Sequence, residues 1–265
     1  GEITLAVGTQ SSGQGHETVW PQIVHEELGV DPMKIRLMAG DSDILTAVGG
    51  TGGSRSVTTQ ANVTLACVNQ MVEGFSTFLA EEMGVDAGAV AFDDERFRAE
   101  GSNLTPTMLE VADMARAKGR EDLLTWAARD RIEARSYPNG AHFAEVEIDR
   151  ETGVAEVVKY TVVDDFGNLI NPMLAEGQVH GGVAQGLGQA LCERVVFDED
   201  GQLLSATFMD YAMPRADDVP MFGFATEPVP STANVMGMKG CGEAGTVGAL
   251  AAVSNAVQDA LWERG

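Results

Sequence analysis

Met238-Lys239-Gly240-Cys241-Gly242-Glu243-Ala244-Gly245-Thr246 sets one glutamate in a run of glycines, directly ahead of a segment, 247–261, in which Val247, Leu250, Val253, Val257 and Leu261 recur at helical spacing. How this stretch is read decides the fold. Gly240-x-Gly242-x-x-Gly245 fits the dinucleotide-binding pattern letter for letter. That pattern also needs a second strand with an acidic residue about 20 positions on. The sequence reaches Gly265 still in or just past the helix, so a nicotinamide-binding βαβ unit is not expected. What remains is a glycine turn that lets backbone approach a ligand, at a helix amino end with unpaired N–H groups and a partial positive charge. A carboxylate there is either a helix-start residue facing the dipole or a base aimed into a pocket, and the stretch alone leaves both open.

The rest of the chain bounds the function classes. It has 265 residues, enough for one or two domains, with 44% hydrophobic and 22% charged residues. A formal net charge of −23 argues against nucleic acid or an anionic membrane as partner. No apolar run is long enough for a membrane span, and the first residues lack the charged and apolar regions of a signal peptide. The chain begins Gly-Glu-Ile-Thr-Leu, without an initiator Met, so it is expected to be part of something longer. Cys67, Cys192 and Cys241 are too scattered for a disulfide framework or a zinc site, which fits a reduced, cytoplasmic setting. His16, His25, His142 and His180 show no metal-ligand spacing.

Ile3–Val7 reads as a buried strand running into a polar glycine turn, 8–15. A helix follows, with Thr18 expected as N-cap, Pro21 in its first turn, and Gly29 and Asp31-Pro32 ending it. A second strand is expected at 34–39, a glycine cluster at 49–54, and a long helix from about Ser56. The acidic stretch 85–130 reads as strand, loop and short helix. After Tyr137-Pro138-Asn139-Gly140, strands at 141–149 and 153–164 are joined by a hairpin turn, Asp149 to Gly153. Then come a glycine-rich turn, 177–188, a helix, a strand and the opening motif. The fold class is α+β, in two mixed α/β subdomains, 1–135 and 136–265.

Four glycine-rich turns, each expected at the start of a helix, carry polar side chains: Gln14-Gly15-His16, Ser54-Arg55-Ser56, Gln185-Gly186-Leu187-Gly188 and Lys239 through Glu243. Any one alone is an ordinary left-handed turn or cap. Together they read as a cradle for a large polar ligand bearing phosphate. Gly-Gly-Thr-Gly-Gly-Ser-Arg-Ser, with two hydroxyls and a guanidinium at a helix amino end, is the best phosphate candidate. No Walker lysine is present, so a nucleoside triphosphatase is not favoured.

In order along the chain, Gly8-Thr-Gln-Ser-Ser-Gly-Gln-Gly-His-Glu17, Gly50-Thr-Gly-Gly-Ser-Arg-Ser56, Gly181-Gly-Val-Ala-Gln-Gly-Leu-Gly188 and Lys239-Gly-Cys-Gly-Glu-Ala-Gly245 resemble the molybdenum hydroxylases: xanthine dehydrogenase, aldehyde oxidase and aerobic carbon monoxide dehydrogenase. The resemblance is to the carboxy-terminal molybdopterin-binding half of their large subunit. Tyr137 to His142 and Asp164 to Asn171 also fit it. It covers nearly the whole chain except about 85–130.

The resemblance implies a molybdopterin cofactor, often the cytosine dinucleotide form in bacterial three-subunit members. Gln14, Gly15 and His16 would line it, and Ser54, Arg55 and Ser56 would hold its pterin or phosphate. Gln185 would face the metal, with Lys239 and Gly240 nearby. Glu243 falls on the catalytic glutamate, the base in oxidation of a heterocycle, aldehyde or similar small substrate with water as oxygen source. No side chain is expected as a metal ligand, the molybdenum being held through the pterin. Iron–sulfur and FAD centres would lie on partner chains or domains, and the amino-terminal half of the molybdenum subunit would complete the pocket. Alone, the chain is expected to be inactive. The alternative is a non-catalytic cofactor-holding or subunit-interaction fragment.

Overall fold

The computed structural model describes residues 1–45, 48–132 and 134–262. The chain divides into two compact units, Gly1–Arg135 with Ala233–Met236, and Ser136–Thr232 with Gly237–Gly265.

In the first unit, β1 (Ile3–Val7) and β2 (Ile35–Ala39) pair in parallel, Ile3 opposite Ile35 and Val7 opposite Ala39. The crossover between them carries α1 (His16–Leu28). α1 starts at His16, not after Thr18. Gly15 takes the left-handed conformation, φ 77°, and its carbonyl accepts the N–H groups of Thr18 and Val19 at 3.0 and 3.1 Å. Thr18 thus lies inside the helix and Pro21 in its second turn. Gly29, φ 64°, closes α1 as expected.

α2 (Ser56–Met83) runs 28 residues, about 42 Å at 1.5 Å per residue. Phe75 and Leu79 on α2 meet Val24 and Leu28 of α1 and Val111 of α3 (Met108–Ala117) in one apolar core. Phe97 and Trp126 meet Phe75 edge-on, at 6.3 and 6.1 Å between ring centroids. Phe97 lies on β4 (Arg96–Arg98), the antiparallel partner of β3 (Ala91–Asp93). Thr107 and Glu110 start α3 with a reciprocal capping box.

The second unit is a three-stranded sheet, β5-β6-β7, covered by two helices. β5 (Asn139–Ile148) and β6 (Ala155–Asp165) form the expected antiparallel hairpin, and β7 (Phe222–Thr226) lies parallel to β6. On β5, His142, Ala144, Val146 and Ile148 face inward while Phe143, Glu145 and Glu147 face water, the period-two pattern of a one-sided sheet. α5 (Ala244–Leu261) packs on the hairpin, and α4 (Pro172–Leu191) packs on α5. Val179, Val183 and Leu187 of α4 join Ala249 and Val253 of α5 and Tyr160 and Val162 of β6 in the core.

Three expectations change here. The segment 177–188 is not a turn: α4 runs unbroken through it from Pro172, capped by the Asn171 side chain on Leu174 N–H at 3.1 Å. Its glycines serve close packing. A Cβ on Gly182 would lie 2.9 Å from Thr246 N and 3.0 Å from Gly245 Cα, and one on Gly186 2.7 Å from Ala249 Cβ. The strand expected after that helix reduces, among the described residues, to a single bridge between Phe197 and Leu203. α5 begins at Ala244, and its buried face is Gly245, Ala249 and Val253, while Val247 is exposed. Small residues, not large ones, mark that face because the partner helix sits so close. Whether the helix reaches Gly265 lies outside the described residues.

Gly245 and Gly177 separate these roles. A Cβ on Gly245 would sit 2.4 Å from Val179 O, whereas Gly177 has nothing within 4 Å. Gly245→Ala is expected to destabilise by about 1–3 kcal/mol through overpacking. Gly177→Ala is expected to be neutral or stabilising by up to ~1 kcal/mol. Denaturant titration of the two variants checks both.

Candidate functional site

In the first unit, the turn after β1 and the loop before α2 lie together beyond the carboxyl ends of the parallel pair, where open α/β sheets place ligands. Thr51 Oγ1 donates to Gln10 O at 2.6 Å and ties them. The tie joins the turn that leads to Gln14, Gly15 and His16 to the loop that leads to Ser54, Arg55 and Ser56. The Gln14 side-chain oxygen accepts the Ser12 N–H, holding the turn closed. Gly53 and Ser54 are both left-handed, φ 63° and 52°, a rare conformation for a serine. The Arg55 side chain makes no capping bond to α2, whose amino end presents backbone N–H groups and a partial positive charge. One guanidinium N–H bonds Gly49 O at 2.7 Å, which fixes the arm while leaving most of its five donors.

His16 is buried at the base of this turn, stacked obliquely on Trp20 with ring centroids 5.0 Å apart. Burial pushes its pKa below the ordinary histidine value, against the opposing effects of the Thr9 backbone and Glu17. A neutral imidazole is the result. Its Nδ1, with Thr9 Oγ1, Trp20 Nε1 and Asn62 Oδ1, is buried without a hydrogen-bond partner. Such atoms call for a partner from outside the chain, a ligand or water.

In the second unit, Glu243 is the N-cap of α5, exposed, with no side-chain capping bond. Thr246, on the first turn of the same helix, sets its Oγ1 3.0 Å from Gly182 O and 3.2 Å from Gln185 Oε1. The tight α4–α5 contact therefore brings Gln185 to the end of α5 that Glu243 occupies. Sequence reasoning put Gln185 in a turn; it stands on the exposed side of a helix and reaches the same place by packing. Lys239 and Gly240 lie on the segment leading into this end.

The Lys239 ammonium is ion-paired with Asp165, both side chains nearly buried, at 10% and 13% exposure. The other Asp165 oxygen accepts the N–H groups of Gly167 at 2.8 Å and Val229 at 2.9 Å. Burial pushes the Asp165 carboxyl up, but Lys239 and these N–H groups outweigh it and hold it below the usual aspartate value. Next to it on β6, Asp164 turns to the opposite, inner face and is 2% exposed. Its Oδ1 lies 3.5 Å from His142 Nε2, and His142 Nδ1 lies 2.7 Å from the Tyr160 hydroxyl. Burial, then the Asp164 charge, drives the Tyr160 phenol far above its ordinary pKa. The Cys241 thiol is pushed to about 11, again by burial first and Asp164 second, so it stays protonated and inert at neutral pH. Asp164, Asp165, His142 and Tyr160 were not singled out as site residues from the sequence. The available signal was a pair of adjacent aspartates, Asp164 and Asp165, ending β6 directly after Val162 and Val163.

Among the described residues, no group of three or more His, Cys, Asp or Glu side chains could hold a metal ion. No described helix is long and apolar enough to cross a membrane.

Residues 1–220 match the molybdopterin cofactor-binding domain family. The chain belongs to that family. The carbon monoxide dehydrogenase large chain of Afipia carboxidovorans is 35% identical over 98% of this chain and 33% of its own length. The 6-hydroxypseudooxynicotine dehydrogenase complex subunit gamma of Paenarthrobacter nicotinovorans is 32% identical over 98% and 34%. A crystal structure of a Cu,Mo-CO dehydrogenase superposes with a TM-score of 0.89 at 34% identity, over 99% of this chain and 34% of that one. The molybdopterin-binding chain thus spans about a third of the relatives it matches, and the expected membership and α+β fold class are both borne out.

The Asp165 shift carries a stability prediction. Its folded pKa is depressed, so its contribution is complete above the unfolded value, near 3.8, and is lost as pH falls below that through the folded value. Acid unfolding followed by circular dichroism is expected to begin in this window. Asp165→Asn is expected to be less stable at neutral pH, where Lys239 loses its counter-charge, and to show a flatter dependence as pH falls below the unfolded value near 3.8.

Proposed function

We propose that this molybdopterin-binding chain forms part of the active site of a molybdenum hydroxylase or dehydrogenase, with Glu243 as its base. The observation that carries the reading is the placement of Glu243 at the amino end of α5, the helix whose first turn meets Gln185 through Thr246, in a chain of the molybdopterin-binding family. The cradle of the first unit fits the cofactor: a helix amino end with Ser54, Arg55 and Ser56, and the buried His16 Nδ1 awaiting a partner. Gln14, Gly15 and His16 line it, and Gly240 is assigned to the cofactor as well.

When bound, the molybdenum cofactor supplies two-electron oxidation of a substrate carbon with oxygen taken from water. The chain supplies position and proton transfer. Glu243, at the amino end of α5, accepts a proton at its carboxylate. The Thr246 hydroxyl steadies Gln185 Oε1, so the Gln185 amide nitrogen presents its two N–H donors to the ligand. The relatives' names point to a small heterocycle, an aldehyde or carbon monoxide as substrate. The cofactor takes the cytosine dinucleotide form. Iron–sulfur and flavin centres on partner chains carry the electrons away, and the remainder of the molybdenum subunit closes the pocket in a cytoplasmic complex. The chain alone has no turnover.

Glu243→Gln in the native holoenzyme tests the assignment. A general base contributes about 10²–10⁴-fold, so kcat is expected to fall by that much with molybdenum and pterin content unchanged. Unchanged kcat rules Glu243 out.

A further inference from the structure

Glu243 sits between two anchors only a few residues apart. Downstream, Gly245 is pressed against the α4 backbone, and a Cβ on Gly248 would lie 2.5 Å from the His142 ring. His142 is itself held by Tyr160 and Asp164. Upstream is Lys239, whose N–H donates to Phe166 O at 2.7 Å while its ammonium pairs with Asp165. Three segments meet at that carboxylate, through Lys239, Gly167 N–H and Val229 N–H. Gly237 O ties two of them again, accepting Asn168 N–H at 3.0 Å and Ser231 N–H at 2.9 Å. Only 240–244 connect the anchors, and they include Glu243.

The pair is too well buried for its energy to be its purpose. Taking two charges out of water costs about what their attraction returns, so a buried ion pair adds little net stability. What it fixes is geometry: a single arrangement in which both charges are compensated. A lysine 10% exposed and bonded to an aspartate that also holds two N–H groups is placed to organise its own loop.

We propose that Lys239 and Asp165 are positioning residues for Glu243: their buried ion pair fixes the start of the 240–244 connection and so aims the Glu243 carboxylate. This rests on the reading that Glu243 is the base. Lys239 then acts on turnover through Asp165 and Glu243, not through contact with the cofactor.

The test is a set of holoenzyme variants: Lys239→Met, Asp165→Asn, the two combined, and each single change combined with Glu243→Gln. Kinetic constants are taken per molybdenum, with pterin content measured alongside. A base misplaced by about 1 Å costs on the order of 100-fold. Each single variant is expected to lose about 10- to 100-fold in kcat, with KM and molybdenum content unchanged. The charge-free double variant should lose no more than the worse single, and neither change should cost anything further beside Glu243→Gln. Where Lys239→Met fails to assemble, Asp165→Asn and the double variant carry the same comparison. Losses that add to Glu243→Gln would overturn the proposal. So would loss of cofactor confined to Lys239 variants, or wild-type kcat per molybdenum in Asp165→Asn. A fully active Glu243→Gln enzyme overturns the functional reading and this proposal with it. An inactive one beside a normal Asp165→Asn overturns the proposal alone.

Discussion

The contact between α4 and α5 is the constraint on which the second unit depends. Gly182 and Gly186 on one helix face Gly245 and Ala249 on the other, leaving no room for a side chain between the backbones. Ordinary helix pairs lie 8–10 Å apart with side chains interleaved. Here glycine replaces them, at a helix-propensity cost of about 0.5–1 kcal/mol for each one. The return is positional. The contact sets Thr246 against Gly182 O and Gln185, fixes the register of the two helices, and puts the start of α5 where Gln185 can share it.

The same helix rests on a sheet whose inner face holds a short polar array in an otherwise apolar core: Tyr160, His142 and Asp164. Asp164 faces inward and Asp165 outward because successive strand residues alternate. One strand end thereby serves two surroundings, the core beneath α5 and the loop carrying Lys239. The first unit is built differently. Its turns follow parallel strands and lead into helix amino ends, so its polarity comes mostly from backbone N–H groups and short side chains. Under the proposed function the two kinds of site would take different tasks, one holding phosphate and pterin, the other placing a single carboxylate.

Much of this was legible in the sequence, because the strongest local signals are also structural ones. The turn from Asp149 to Gly153 between strands expected at 141–149 and 153–164 gave the hairpin, and the apolar spacing of three and four from Ser56 gave α2. The four motifs in order gave the family, which the match over residues 1–220 bears out. The failures share one cause. Glycine was read as turn chemistry at 177–188, where it serves close helix packing, and Val247 was read as core because it is apolar, although Gly245 and Ala249 are what is buried. Thr18 looked like the better N-cap by side chain, but Gly15 won through its left-handed backbone. The Lys239–Asp165 pair joins residues 74 apart, and no local pattern in a single sequence announces it.

The central claim, that this chain holds a molybdenum cofactor as part of an oxidising enzyme, is tested most directly by metal and pterin analysis of the native holoenzyme purified through a tag on this chain, with mass spectrometry of the co-purifying chains. The account predicts molybdenum and pterin in stoichiometric amount, with iron–sulfur and flavin partners alongside. A complex without molybdenum, from cells whose cofactor synthesis is intact, would contradict it.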